Sequence, residues 1–86
     1  MPSYCYLLRC GDGSYYCGWT FDLEKRVIAH KEGKGSRYTR SHLPVKLVYF
    51  ETCKGRAEAM RRENEIKKMS HNQKELLVRA YTSRDD

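Results

Sequence analysis

The residues of this chain best suited to chemistry are Tyr6, Tyr16, Arg26, His30 and Glu63. Glu63 stands out by its place. It lies four residues after Ala59, three after Met60 and three before Ile66, so at helical spacing it projects from the middle of an apolar stripe. Its neighbours Glu58 and Glu65 fall off that stripe. An ionised carboxylate facing inward is costly unless it meets a cation or a metal. One such partner is an arginine. The other is Mg²⁺, which often takes only one or two protein carboxylates and fills its shell with water and phosphate oxygens. Arg26 is permanently charged and can grip two phosphate oxygens at once, or pair with a carboxylate. His30, four residues on, shares its helix face and suits either a proton shuttle or a satisfied, part-buried side chain. Tyrosines on neighbouring strands are commonly packing pairs. Beside a cation and a metal, however, a phenol gives up its proton more readily and could act as a base toward water.

The elements that must position these groups follow from pattern. Residues 4–10 alternate Tyr4, Tyr6 and Leu8 with Cys5, Leu7 and Arg9, which predicts a strand. Gly11-Asp12-Gly13-Ser14 is a hairpin turn signal, and Tyr15 to Trp19 resumes the alternation. Asp22 is the expected N-cap of a helix that carries Arg26 and His30 and stops near Gly33, with Leu23, Val27 and Ile28 toward the sheet. Residues 31–44 show no sustained period and predict a loop or short irregular segment. Its Lys31, Lys34, Arg37 and Arg40 face a single acid, Glu32, and form with Tyr38 a candidate nucleic-acid-binding surface, Tyr38 stacking on an unpaired base or touching a phosphate. Val45 to Glu51 predicts a third strand, central or covered on both faces. A helix from about Arg56 carries Glu63, and Ser70-His71-Asn72-Gln73 is a capping box that opens another. The order ββαβαα predicts an α+β domain with a three-stranded, largely antiparallel sheet flanked by helices.

Eighty-six residues predict one domain, 1–82, with a frayed tail over 83–86. Seventeen Lys and Arg against eleven Asp and Glu leave a net charge of +6, which favours polyanionic partners. No apolar run is long enough to span a membrane, and the N-terminus is too short and polar for a secretory signal, so a cytoplasmic protein is expected. Cysteines at 5, 10, 17 and 53 match no paired zinc-ligand spacing and are expected as free thiols.

The constellation resembles the GIY-YIG nuclease superfamily. Tyr4-Cys5-Tyr6 corresponds to the family's first motif and Tyr16-Cys17-Gly18 to its second, while Arg26, His30 and Glu63 match its helix arginine, helix histidine and metal-binding glutamate. The likeness covers about residues 4–77, and the fuller string is similar to a subgroup of small, single-domain bacterial proteins. Tyr4 and Cys5 depart from the first motif, and Cys17 from the second; the two functional tyrosines are retained. The resemblance implies an endonuclease that hydrolyses phosphodiesters in nucleic acid, with DNA expected, in repair or recombination. It implies Mg²⁺ or Mn²⁺ held by Glu63, Tyr6 as general base, Tyr16 as its helper, Arg26 on the transition-state phosphate and His30 orienting or relaying protons. A partner protein supplying specificity is also implied by the lack of an appended binding domain. Two other readings need no catalysis: a nucleic-acid-binding module that uses the same basic and aromatic surface, and a module docking onto a larger repair or recombination protein through an apolar patch of the last helix around Leu76 and Leu77.

Overall fold

The computed structural model describes residues 1–83, without the side chain of Ser83. Of the expected tail 83–86, residues 84–86 lie outside the described residues. Three strands, β1 (Ser3–Arg9), β2 (Tyr15–Thr20) and β3 (Lys46–Cys53), form an antiparallel sheet in the order β2–β1–β3. Four helices complete the chain: α1 (Leu23–Lys31), α2 (Arg37–Ser41), α3 (Arg56–Lys67) and α4 (His71–Ser83). The α+β class and the three-stranded antiparallel sheet match the sequence reading. No helix among the described residues is long and apolar enough to cross a membrane.

The hairpin closes as its turn residues predict. Gly13 takes φ +86°, a left-handed conformation that glycine adopts without steric cost, and Cys10 N–H donates to Ser14 O at 2.8 Å. Asp22 caps α1 by accepting from Lys25 N–H at 3.1 Å. Gly33, at φ +80°, ends it, with Lys34 N–H reaching back to Ala29 O at 2.8 Å. Ser70 and Gln73 form the reciprocal capping box, at 2.8 and 3.1 Å.

Of the two alternatives for the third strand, coverage on both faces holds: it is an edge, and β1 is the central strand, because β1 pairs with both others. Three expectations are corrected. First, the expected alternation of Val45, Leu47 and Tyr49 against Lys46, Val48 and Phe50 fails within β3: Leu7 faces Tyr49 and Leu8 faces Leu47, so Val48 is an extra residue in a β-bulge. Val48 and Tyr49 therefore pack on one side of the sheet, and Leu47 and Phe50 on the other. Second, the basic segment contains the short helix α2, capped by Ser36, whose side chain accepts from Thr39 N–H at 3.1 Å. Third, Ile28 and Met60 are largely exposed, and of the Leu76–Leu77 pair only Leu77 packs on the core. On α3 the buried line is Ala59 and Ile66, with Met60 turned about 100° away from Ala59.

Each sheet face has its own core. Cys5, Leu7, Tyr15, Cys17 and Cys53 meet Ala59 and Ile66 of α3, with Leu77 and Val78 of α4 behind them. On the opposite face Tyr6, Leu8, Cys10 and Val45 pack with Val27 of α1. The Tyr6 side chain thus faces α1, on the side of the sheet opposite to α3, the helix that carries Glu63.

Candidate active site

Tyr6, a residue 1% exposed, points from the central strand toward α1, where its hydroxyl lies 2.8 Å from His30 Nε2. Two glycines make that contact possible. A Cβ on Gly18, which faces Tyr6 across the hairpin, would sit 2.5 Å from the Tyr6 hydroxyl, and one on Gly35 would sit 2.1 Å from His30 Nδ1. His30 is fully buried, and its ring contacts both tyrosines, with centroids 5.8 Å from Tyr6 and 5.1 Å from Tyr16. On its far side Nδ1 lies 2.9 Å from the hydroxyl of buried Thr39.

Electrostatics follow from this burial. Desolvation pushes the Tyr6 phenol up to about 12, opposed by the Arg26 guanidinium beside it. Desolvation, with Arg26 as the second cause, pushes His30 down to about 4. At neutral pH the pair is therefore a neutral phenol and a neutral imidazole. Arg26 also donates to Gly35 O at 3.0 Å, which ties α1 to the turn before α2.

Tyr16 lies on the same face but at the sheet edge, and lines a cleft of about 240 Å³ with Tyr15, Cys17, Tyr38, Lys67 and Lys74. The free edge of β2 is what lets both layers reach this cleft: Tyr38 comes from α2, and Lys67 and Lys74 come from α3 and α4. Glu63 enters through Lys67, whose ammonium is 3.6 Å from its carboxylate. The Glu63 side chain is 18% exposed, so its inward lean is real but incomplete. The arginine pair considered for it is made instead by Glu51 and Arg62, at 2.6 Å.

Of the basic segment, Tyr38 is brought to the cleft. It stacks on His42 at 4.1 Å, lies 6.0 Å from Tyr16, and donates to Ser14 Oγ at 2.6 Å. Lys34, Arg37 and Arg40 are exposed around α2. Lys31 lines a separate groove of about 890 Å³ with Tyr4, Phe21, Ile28 and Phe50. The sequence reading missed Thr39, Lys67 and Lys74. Ser36 three residues before Thr39 is an N-cap signal that would have found α2, and Lys67 four after Glu63 is a helical neighbour.

Among the described residues no group of three or more His, Cys, Asp or Glu side chains could cage a metal. A hard divalent cation that keeps most of its waters needs no cage, and one half-buried carboxylate beside a phosphate site suits it. Glu63 fits that donor set.

Comparison with known proteins agrees with the fold. A family profile described as the GIY-YIG catalytic domain matches residues 2–75. A UPF0213 protein of Clostridium perfringens is 48% identical over 84 residues, covering 98% of this chain and 90% of the relative. The solution NMR structure of a UPF0213 protein from Bacillus halodurans aligns with a TM-score of 0.59 at 44% identity, over 93% of this chain and 85% of the other. That of an E. faecalis protein gives 0.62 at 36% identity, over 95% and 88%. The chain belongs to the GIY-YIG family, among the small UPF0213 proteins.

Proposed function

We propose that this protein is a divalent-metal-dependent endonuclease that hydrolyses phosphodiester bonds in nucleic acid, DNA by preference, and serves repair or recombination. The observation that carries this reading is the junction at the β2 edge. There Tyr16 shares a cleft with Lys67, the partner of Glu63, and packs on the His30 ring that holds the Tyr6 hydroxyl.

In this reading the scissile phosphate enters the cleft against Tyr16, with Lys67 and Lys74 supplying positive charge. Glu63 would hold Mg²⁺ or Mn²⁺, which supplies polarisation of the phosphate and neutralises the leaving oxygen. Arg26, with one amino group already on Gly35, offers its remaining N–H groups to the phosphate oxygens whose charge grows in the transition state. Tyr16 donates to the phosphate or the attacking water. Tyr6 acts as base. Its resting phenol is protonated, so cleavage rises with pH above neutrality, by up to about tenfold per unit while one deprotonation limits the rate. His30 orients the phenol and does not relay its proton. Moving a proton from a group near 12 to one near 4 is uphill by on the order of 10 kcal/mol. Lys34, Arg37, Tyr38 and Arg40 extend the contact along the substrate, and a partner protein could add specificity.

The test is a cleavage assay on branched, nicked and linear DNA, and on RNA, with Mg²⁺ or Mn²⁺. Wild type should cut, and Tyr6→Phe, Arg26→Ala and Glu63→Ala should each lose about 10²-fold or more. A wild type that cuts none of them, or three variants as active as wild type, would sink the assignment. Binding that survives Glu63→Ala without any cleavage by wild type would mark a pure binding module.

A further inference from the structure

The contact between His30 and Thr39 lies outside the roles assigned so far, yet its hydrogen count decides how Tyr6 is presented. A neutral imidazole carries one N–H and one acceptor nitrogen, so its two ring contacts must differ in sense. Two arrangements are possible. In the first, Thr39 donates to Nδ1, and Nε2–H donates to the Tyr6 oxygen. The phenol hydrogen would then need another acceptor, on a residue that is 1% exposed. His30 is the acceptor the structure gives it, and the neighbouring Arg26 only donates. A buried donor would be left without a partner.

In the second arrangement, Nδ1–H donates to Thr39 Oγ1 at 2.9 Å and Nε2 accepts from the Tyr6 hydroxyl at 2.8 Å. Thr39 then donates its own hydrogen to Ser36 O at 3.3 Å and accepts from the Ser36 hydroxyl at 2.9 Å. Ser36 Oγ still accepts from Thr39 N–H at 3.1 Å. Every donor in the chain finds an acceptor, and the Tyr6 lone pairs remain free for Arg26.

We propose that Thr39 is a positioning residue: it holds His30 in the Nδ1-protonated tautomer, so that Tyr6 gives its hydrogen to Nε2 and turns its lone pairs toward Arg26. This keeps the phenol hydrogen off the side where a water proton or phosphate would be met. It also gives α2 a second function, since the helix that presents Tyr38 to the cleft sets the Tyr6 hydroxyl from its inner face. The catalytic consequence rests on the nuclease reading; the tautomer does not.

Long-range ¹H–¹⁵N correlation spectra of wild type, Thr39→Ser and Thr39→Val at neutral pH read the tautomer directly. Wild type and Thr39→Ser should show His30 protonated at Nδ1. Thr39→Val, which removes the Nδ1 acceptor, should shift it to Nε2–H or a mixture. A wild-type Nε2–H tautomer overturns the proposal, as does an unchanged Nδ1–H tautomer in folded Thr39→Val. Should Thr39→Val not fold, wild type and Thr39→Ser decide alone, since Nε2–H in either overturns it. In the cleavage assay Thr39→Val should lose about 10²-fold in kcat with KM unchanged, and Thr39→Ser should recover most of it. A wild type with the Nδ1–H tautomer but no cleavage on any substrate would remove the nuclease reading and leave the positioning role standing.

Discussion

His30 sits between two hydroxyls in a place where its charged form is penalised, and that penalty is measurable as stability. Its folded value near 4 lies below the ordinary 6.5, so between these pH values the unfolded chain binds more protons than the folded one. The His30 contribution is complete above about pH 6.5 and is lost as pH falls toward 4, by on the order of 3 kcal/mol. Urea unfolding at pH 4.5 and 7 should show this loss in wild type and a much smaller one in His30→Gln. Equal losses in both would mean that His30 is not buried as described. The glycines around it can be ranked in the same way. Gly35→Ala drives a Cβ to 2.1 Å from a buried ring that has no room to move, and should cost about 1–3 kcal/mol and separate His30 from Tyr6. At Gly13 the added Cβ meets nothing, so Gly13→Ala should cost only the left-handed backbone term, about 1 kcal/mol, with the His30 signals unchanged.

At the scale of elements, α2 and α4 clamp the hairpin from opposite sides. From α2, Tyr38 donates to Ser14, and His42 O at its C-cap accepts from Gly11 N–H at 2.8 Å. From α4, the His71 ring packs on Tyr15 at 4.9 Å and Nε2 lies 3.2 Å from Gly13 O. The capping box that starts α4 therefore fixes both a helix and one wall of the cleft. Ser70→Ala should cost about 1 kcal/mol in denaturant unfolding and weaken the His71–Tyr15 contact, seen as altered ring signals of Tyr15. A variant as stable as wild type would show that the tertiary packing of α4, and not its cap, sets its start.

Across the whole molecule the net charge of +6 is less informative than where the cations lie. Lys67 and Lys74 come from helices on one face of the sheet, yet line the cleft that holds Tyr16 and Tyr38 from the other. Lys31 points to a different groove. The double variant Lys67→Ala/Lys74→Ala should therefore weaken binding to nucleic acid and reduce the slope of log K against log salt by about 2 on duplex DNA. Lys31→Ala should change it little. Salt titrations by fluorescence anisotropy separate the two, and a larger effect from Lys31 would move the interface to the α1 groove.

Much of this protein is legible in its residues taken in order. Turn glycines, the Asp22 and Ser70 caps, strand alternation in Tyr4–Trp19 and the helical spacing around Glu63 are local signals, and each predicts an element that the structure contains. The five candidate site residues also come from local pattern, and four of them are gathered in one half of the chain. What the tertiary structure alone decides is their relation. Strand order is set by which strand can pair on both sides, so β1 and not β3 is central, and β2 is left as the edge where two helical layers meet. The bulge at Val48 arises from β1–β3 pairing and no period within β3 announces it. Thr39 reads as one polar residue of an irregular basic stretch until folding lays it 2.9 Å from His30. Periodicity reports the face on which a side chain stands; a hydrogen bond such as that one, between residues nine apart on two different helices, exists only once the chain has closed.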